Sequence, residues 1–372
     1  MSESNVYFTT FRTTFTENLL QKLRRLVKAA GIDTIDFKDK FTAIKMHFGE
    51  PGNLAFLRPN FAKVIADIVK ENGGKPFLTD CNTLYVGGRK NAPDHLDAAT
   101  MNGFNPLTTG CQIIIADGLK GTDDIEVPIK NGVYCKTAKI GRAVIDADVF
   151  ISLNHFKGHE NAGFGGALKN IGMGCGSRAG KMEMHYAGKP IVHQELCIGC
   201  GACTRSCAHT GVTISEIDGR KKATVDHSKC VGCGRCIGVC PKDAMQPNDS
   251  DSNEKLNCKI AEYTSAVITG RPNFHVSLVM DLSPNCDCHS ENDAPFAPDV
   301  GMFASFDPVA LDQACADAVN AMPKLAGSCL DEMPCETHDH FINVHPDTDW
   351  HSQVEHAEKI GIGTRKYKLI KI

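Results

Sequence analysis

Apolar positions recur along this chain with two periods. Val6-Tyr7-Phe8-Thr9-Thr10-Phe11 is a β-rich run, and Leu19, Leu20, Leu23, Leu26 and Val27 then share one helical face. Thr16 is the expected N-cap of that helix, and Gly31 its end. The alternation repeats. A strand is expected over Phe41–Met46, a helical stripe at Phe61, Val64, Ile65, Ile68 and Val69, and a strand over Lys75–Asp80. Ile113–Ala116 and Val149–Leu153 are continuous apolar runs suited to buried parallel strands. The same style returns late in the chain. Helices are expected over Ile260–Ile268 and near Gln353–Ile360, and strands over Phe274–Met280 and near Lys366–Ile370. Asp307-Pro308 opens a further helix, with Asp307 as N-cap and Pro308 at the first helical position. Strands alternating with helices predict an α/β fold, a mainly parallel sheet with helices on both faces.

Two stretches break the pattern. Residues 158–188 are rich in glycine with Lys and His interspersed, and residues 190–247 are dense in cysteine. The expected organisation is one α/β domain in two parts, 1–189 and 248–372, interrupted by a small inserted α+β module at 190–247. Within the module, Val212-Thr213-Ile214 and Ala223-Thr224-Val225 flank Asp218-Gly219, a hairpin signal.

Cysteine changes the picture most, at 18 of 372 residues. The Met-Ser-Glu-Ser start has no signal-peptide pattern, and no apolar run is long enough to span a membrane. A cytoplasmic protein is expected, with thiols that stay reduced or bind metal. Lys and Arg number 40 against 44 Asp and Glu, for a net charge of −4, which argues against a nucleic-acid or membrane-surface binder.

Two runs share one spacing: Cys197-x2-Cys200-x2-Cys203-x3-Cys207, and Cys230-x2-Cys233-x2-Cys236-x3-Cys240-Pro241. Soft thiolates grouped this way suit iron, and the intervening Gly199, Gly201, Ala202, Gly232 and Gly234 let a loop wrap a cluster. Paired zinc sites would leave the third and fourth cysteine of each run unexplained. The segment resembles the bacterial-type ferredoxins that carry two [4Fe-4S] clusters and transfer single electrons, although Ala208 stands where the first run would carry proline. That resemblance implies a crosswise ligand set: Cys197, Cys200, Cys203 and Cys240 for one cluster, and Cys230, Cys233, Cys236 and Cys207 for the other.

The flanking blocks carry a second resemblance. Asp80-Cys81-Asn82-Thr83, His155-Phe156-Lys157-Gly158-His159, Gly163 to Asn170, Cys286-Asp287-Cys288 and Asp307 to Asp312 are similar to the domain-of-unknown-function 362 family. Many of its members carry an inserted ferredoxin module. The family implies an architecture and no particular reaction.

Within the larger domain, Cys286-x-Cys288 with His289 can present two thiolates and an imidazole. Cys175, His155, His159 and His185 are candidate completing ligands for a third metal or a substrate site; the plainer alternative is a pair of reduced thiols at the end of a strand. Lys157, Lys169, Arg178 and Lys181 in and beside the glycine-rich stretch are candidate anion-binding residues, against the alternative of a tightly packed connection. Asp80 and Cys81 follow a strand and so face the usual ligand crevice of an open sheet. Three functions follow: an electron carrier serving a redox partner protein, an oxidoreductase whose clusters feed a small-molecule substrate or metal site, and a redox sensor or scaffold.

Overall fold

The computed structural model describes residues 3–85, 87–185, 189–248 and 252–372. Its centre is an eight-stranded sheet. In chain order the strands are β1 (Ser4–Thr9), β2 (Phe41–Lys45), β3 (Lys75–Asp80), β4 (Gln112–Ile115), β5 (Val149–His155), β6 (Asn273–Val279), β7 (Gly301–Ser305) and β8 (Tyr367–Lys371). Their spatial order is β8-β1-β7-β6-β5-β2-β3-β4. β7 runs antiparallel to both its neighbours, while every other pairing is parallel. The fold is therefore α/β with a mainly parallel sheet. The antiparallel β7 is a strand the apolar pattern does not announce.

Alternation along the central strands loads both faces. Phe150 and Ala43 point into one core, and Ile151, Leu153 and Ile44 into the other. Helices cover each side. α1 (Leu19–Ala29) and α2 (Pro59–Glu71) pack on the second core. α4 (Ala167–Cys175), α6 (Asn253–Ile268), α7 (Pro308–Asn320) and α8 (His351–Ile360) pack on the first. α3 (Ala92–Met101) adds Ala99 to the second core, and α5 (Arg178–His185) adds Met184 to the first.

Most expected elements lie where the pattern put them, with two local corrections. The cap of α1 is Asn18, not Thr16: its side chain accepts from the amides of Leu20 and Gln21 while Gln21 reaches back, a reciprocal capping box. The glycine-rich stretch is not one connection. It holds a short strand pair, Lys157–His159 with Gly163–Gly165, and then α4 and α5. Asp307 caps α7 as expected, accepting from the Val309 and Ala310 amides.

The sheet places a site by its topology. The chain adds β3 and β4 on one side of β2, then returns so that β5 lies on the other side. Such a reversal opens a crevice beyond the carboxyl ends of the strands concerned. Here His47 follows β2, and Lys157, His159 and Glu160 follow β5.

Candidate functional site

Two groups of cysteine stand out, joined by α5. The first is in residues 190–247. Pro190–Val192 and Met245–Pro247 pair antiparallel, bringing the two ends of the segment together. Val212–Ile217 and Arg220–Val225 form the expected hairpin, with Asp218 and Gly219 both in the left-handed region at φ 51° and 72°. The two cysteine runs also repeat one backbone shape. Gly199 and Gly232 have φ of 67° and 72°, Gly201 and Gly234 have 71° and 67°, and each loop leads into a short helical turn. A side chain at these positions would be strained, so the glycines specify the loop.

Cys197, Cys200, Cys203 and Cys240 line one small cavity, three from the first run and one from the second. The Ala223 amide donates to Cys197 Sγ at 3.3 Å, and the Gly211 amide to Cys207 Sγ at 3.3 Å. Cys203 and Cys236 are buried in a shared apolar cluster with Val212, Ile237 and Met245. Burial first, then the neighbouring Cys233 and Cys230 sulfurs, pushes the Cys236 thiol up to about 12. No cysteine of the chain is in a disulfide.

The second group lies in the crevice. Cys286 is fully buried, and Lys169, one turn into α4, donates to its Sγ at 3.0 Å. The hydrogen bond with Cys288 is the main influence holding the Cys286 thiol well below its ordinary range; burial opposes it, and Lys169, Lys157 and His159 reinforce it. The same hydrogen bond, together with burial, pushes Cys288 up. Burial would lower the Lys169 ammonium, but the two sulfurs outweigh it and raise it.

Glu160, Cys288 and His289 offer one carboxylate oxygen, one sulfur and one imidazole nitrogen, all within 4.8 Å of one another. His289 Nε2 lies 3.0 Å from Glu160 Oε1. Mixed S, N and O donors in this number suit a borderline divalent ion with an open position, not calcium or magnesium. The chemistry of the donor set thus fits a metalloprotein.

The other expected residues divide. His159 adjoins Cys286, its Nδ1 accepting from the Asn161 and Ala162 amides at 3.1 and 3.2 Å. His185, at the end of α5, is pushed down to about 3 by burial and then by the charges of His159 and Lys169. His155 has no nitrogen to spare: Nδ1 meets the Asp287 carboxylate at 2.8 Å, and Nε2 donates to the Met280 carbonyl at 2.7 Å. It positions Asp287, the residue between the two cysteines, and the Lys157 ammonium lies 3.4 Å from the same carboxylate. Cys175 lies apart in the apolar core, where its carbonyl accepts from Cys81. Lys181 turns back to the Gly176 carbonyl, and Arg178 to that of Lys90. Asp80 is paired with Lys45 at 3.0 Å beneath the crevice.

Three contributors carry no sequence signal. Glu160 is the missed donor. Arg89, buried, donates to Glu50 at 2.7 Å and lies 3.0 Å from His47 Nε2. The Glu50 amide in turn donates to the Asp287 carbonyl at 2.9 Å, tying the loop after β2 to the cysteine loop. Only the adjacency of Glu160 to His159 in the chain hints at any of these.

α5 joins the groups. Gly234 packs on the Arg178 and Met182 side chains, Met182 belongs to the apolar cluster around Cys203 and Cys236, and His185 at the other end lies with the crevice cations.

The fold is α/β, and the many cysteines together with the Glu160, Cys288 and His289 group fit a metalloprotein. The family model described as "Domain of unknown function (DUF362)" matches residues 42–317, and the chain belongs to that family. A curated relative, the "Thylakoid-associated protein sll1697" of Synechocystis, is 28% identical over 125 residues, which are 34% of this chain and 35% of that protein. The lactate racemase apoprotein from Thermoanaerobacterium thermosaccharolyticum is similar in structure at a TM-score of 0.33 and 11% identity, covering 75% of this chain and 51% of that one. A Thermotoga maritima protein solved as a structural-genomics target gives 0.38 and 10%, covering 92% and 58%. The chain thus spans about a third of the curated relative and little more than half of the two solved structures. Likenesses this distant carry no functional inference. Among the described residues no helix is long and apolar enough to cross a membrane.

Proposed function

We propose that the chain is an iron–sulfur protein that passes single electrons to a redox partner, with residues 190–247 as an inserted two-cluster module. One observation carries this reading: cysteines from both runs, Cys197, Cys200, Cys203 and Cys240, line the same cavity. A ligand set drawn crosswise from two repeats is what a pair of cubanes requires. The repeated glycine backbone and the amides aimed at Cys197 and Cys207 fit thiolate ligands whose charge needs hydrogen-bond support. When bound, such clusters supply one-electron storage at a potential set by hydrogen bonds, charge and exposure. Cys230, Cys233, Cys236 and Cys207 would hold the second cluster. Eighteen cysteines without a disulfide suit a reducing compartment such as the cytoplasm.

The test is anaerobic purification with metal and sulfide analysis. The expected content is about eight iron and about eight sulfide per chain, four for each cubane. Cys240→Ser and Cys207→Ser should each remove about half of it. Colourless protein, or zinc at these loops, would sink the reading.

A second reading is supported by the crevice. Glu160, Cys288 and His289 converge at the carboxyl ends of β2 and β5, and α5 leads there from the cysteine module. An oxidoreductase would use that path to bring electrons to a metal or substrate held there. Metal beyond the iron of the loops, lost in Cys288→Ser and retained in Cys175→Ser, would favour it.

A further inference from the structure

Where the cysteine segment meets the sheet domain, a cleft of about 260 Å³ lies between Lys90, Leu119 and Lys120 on one side and Ser206, Arg235 and Val239 on the other, with Arg178 at its base. Four cationic side chains line it, and among the described residues no carboxylate does. Lys90 pairs with Asp243, and Asp117 is the acid whose charge acts on Arg178; neither is among the residues lining the cleft.

Arg178 is the unusual member. It is only 2% exposed, and Gly238 leaves the room its guanidinium needs: any Cβ there would run into it. Its Nη2 donates to the Lys90 carbonyl, but its Nε has no acceptor, and neither does the buried Nε of Arg235. Buried donors are rarely left unpaired, because burial removes the water that would otherwise serve them. Two guanidinium groups on the lining, flanked by two ammonium groups, are complementary to an oxyanion of multiple charge. Leu119 and Val239, 61% and 38% exposed, add an apolar wall beside them.

We propose that this cleft binds the phosphoryl group of a small phosphorylated molecule, the rest of which lies on Leu119 and Val239. Arg178 and Arg235 grip the phosphoryl oxygens, and Lys90 and Lys120 balance the remaining charge. At about 260 Å³ the cleft has room for a diphosphate. None of the residues lining the cleft is a cysteine of the loops. The ligand would nonetheless sit against the turn that carries Cys236, one residue beyond Arg235.

The probe is inorganic pyrophosphate, titrated calorimetrically into the full-length chain purified anaerobically, with iron measured on the same samples. One site per chain is expected, weakening as potassium chloride is added. Arg235→Gln and Lys120→Met should each weaken binding about tenfold, with iron content unchanged. Lys120 is exposed, so its replacement leaves folding intact. Arg178→Lys keeps the charge but loses the fork and should also bind weakly. Absence of pyrophosphate binding by the wild type, or wild-type affinity in Arg235→Gln or Lys120→Met, would overturn the proposal.

Discussion

Glu262 shows what a single buried residue can hold in this molecule. It is fully buried on α6 and accepts from the amides of Val133, Tyr134 and Cys135 at 2.6, 3.0 and 2.7 Å and from His356 Nε2 at 2.9 Å. Burial alone would raise its carboxyl, but His356 and the three amides outweigh burial and hold it below the ordinary range. A depressed carboxyl stabilises the fold above its unfolded pKa of about 4.3, and that contribution is lost as pH falls through the lower folded value. Glu262→Gln should cost about 2–4 kcal/mol at neutral pH, because an amide N–H₂ then faces backbone N–H groups. Denaturant unfolding of metal-loaded protein measures this; a loss under about 0.5 kcal/mol would show that the network relaxes without the charge. Local devices such as the Asp307 cap and the Asp218-Gly219 turn were legible because partners lie within a few residues. Glu262 was not, since its donors lie more than 90 positions away, and Glu160 meets His289 across a similar gap.

At the scale of elements, the glycine-rich stretch shows how composition misleads. Its density suggested an anion-cradling loop as readily as a packed connection. The structure gives Gly172 a packing role: a Cβ there would come 2.2 Å from the Ile260 carbonyl oxygen, a backbone atom that cannot swing aside. α4 thereby lies against α6, which lets Lys169 reach Cys286 from a fixed helix. An exposed mid-helix Gly→Ala change gains up to about 1 kcal/mol. Gly172→Ala should instead lose about 1–3 kcal/mol by overpacking, measured as a lower melting temperature. A neutral or raised melting temperature would mean that α4 and α6 separate freely. The parallel strands were legible as apolar runs, and β7 was not. Gly301-Met302-Phe303-Ala304-Ser305 is short, opens on glycine and ends on serine, so only its two antiparallel neighbours define it.

At the scale of the whole molecule, the apolar clusters are of unequal size. The sheet domain has two broad cores, one on each face. Residues 190–247 share one small cluster of eight buried side chains, to which the sheet domain lends Leu84 and Met182 and in which Cys203 and Cys236 take two further places. So small an apolar core rarely supports a fold unless a metal, disulfide or partner adds to it. Disulfides are absent, and burial and the neighbouring sulfurs disfavour the thiolate form of Cys236. If the cysteine loops hold metal, binding and local folding are one equilibrium. Stripping the metal under anaerobic chelation should therefore open residues 190–247 and leave the eight-stranded sheet closed. Limited proteolysis reads this directly. The stripped chain should be cut first between the paired strands Pro190–Val192 and Met245–Pro247, while far-ultraviolet circular dichroism keeps most of its amplitude. Because Arg178 and Met182 anchor the segment through α5, the cut chain should also lose pyrophosphate affinity, since the Arg235 side of that cleft is then gone. A stripped chain that resists protease as well as the loaded one would mean that protein contacts alone hold the loops. The cysteines of the two runs would then not be what residues 190–247 depend on for their fold.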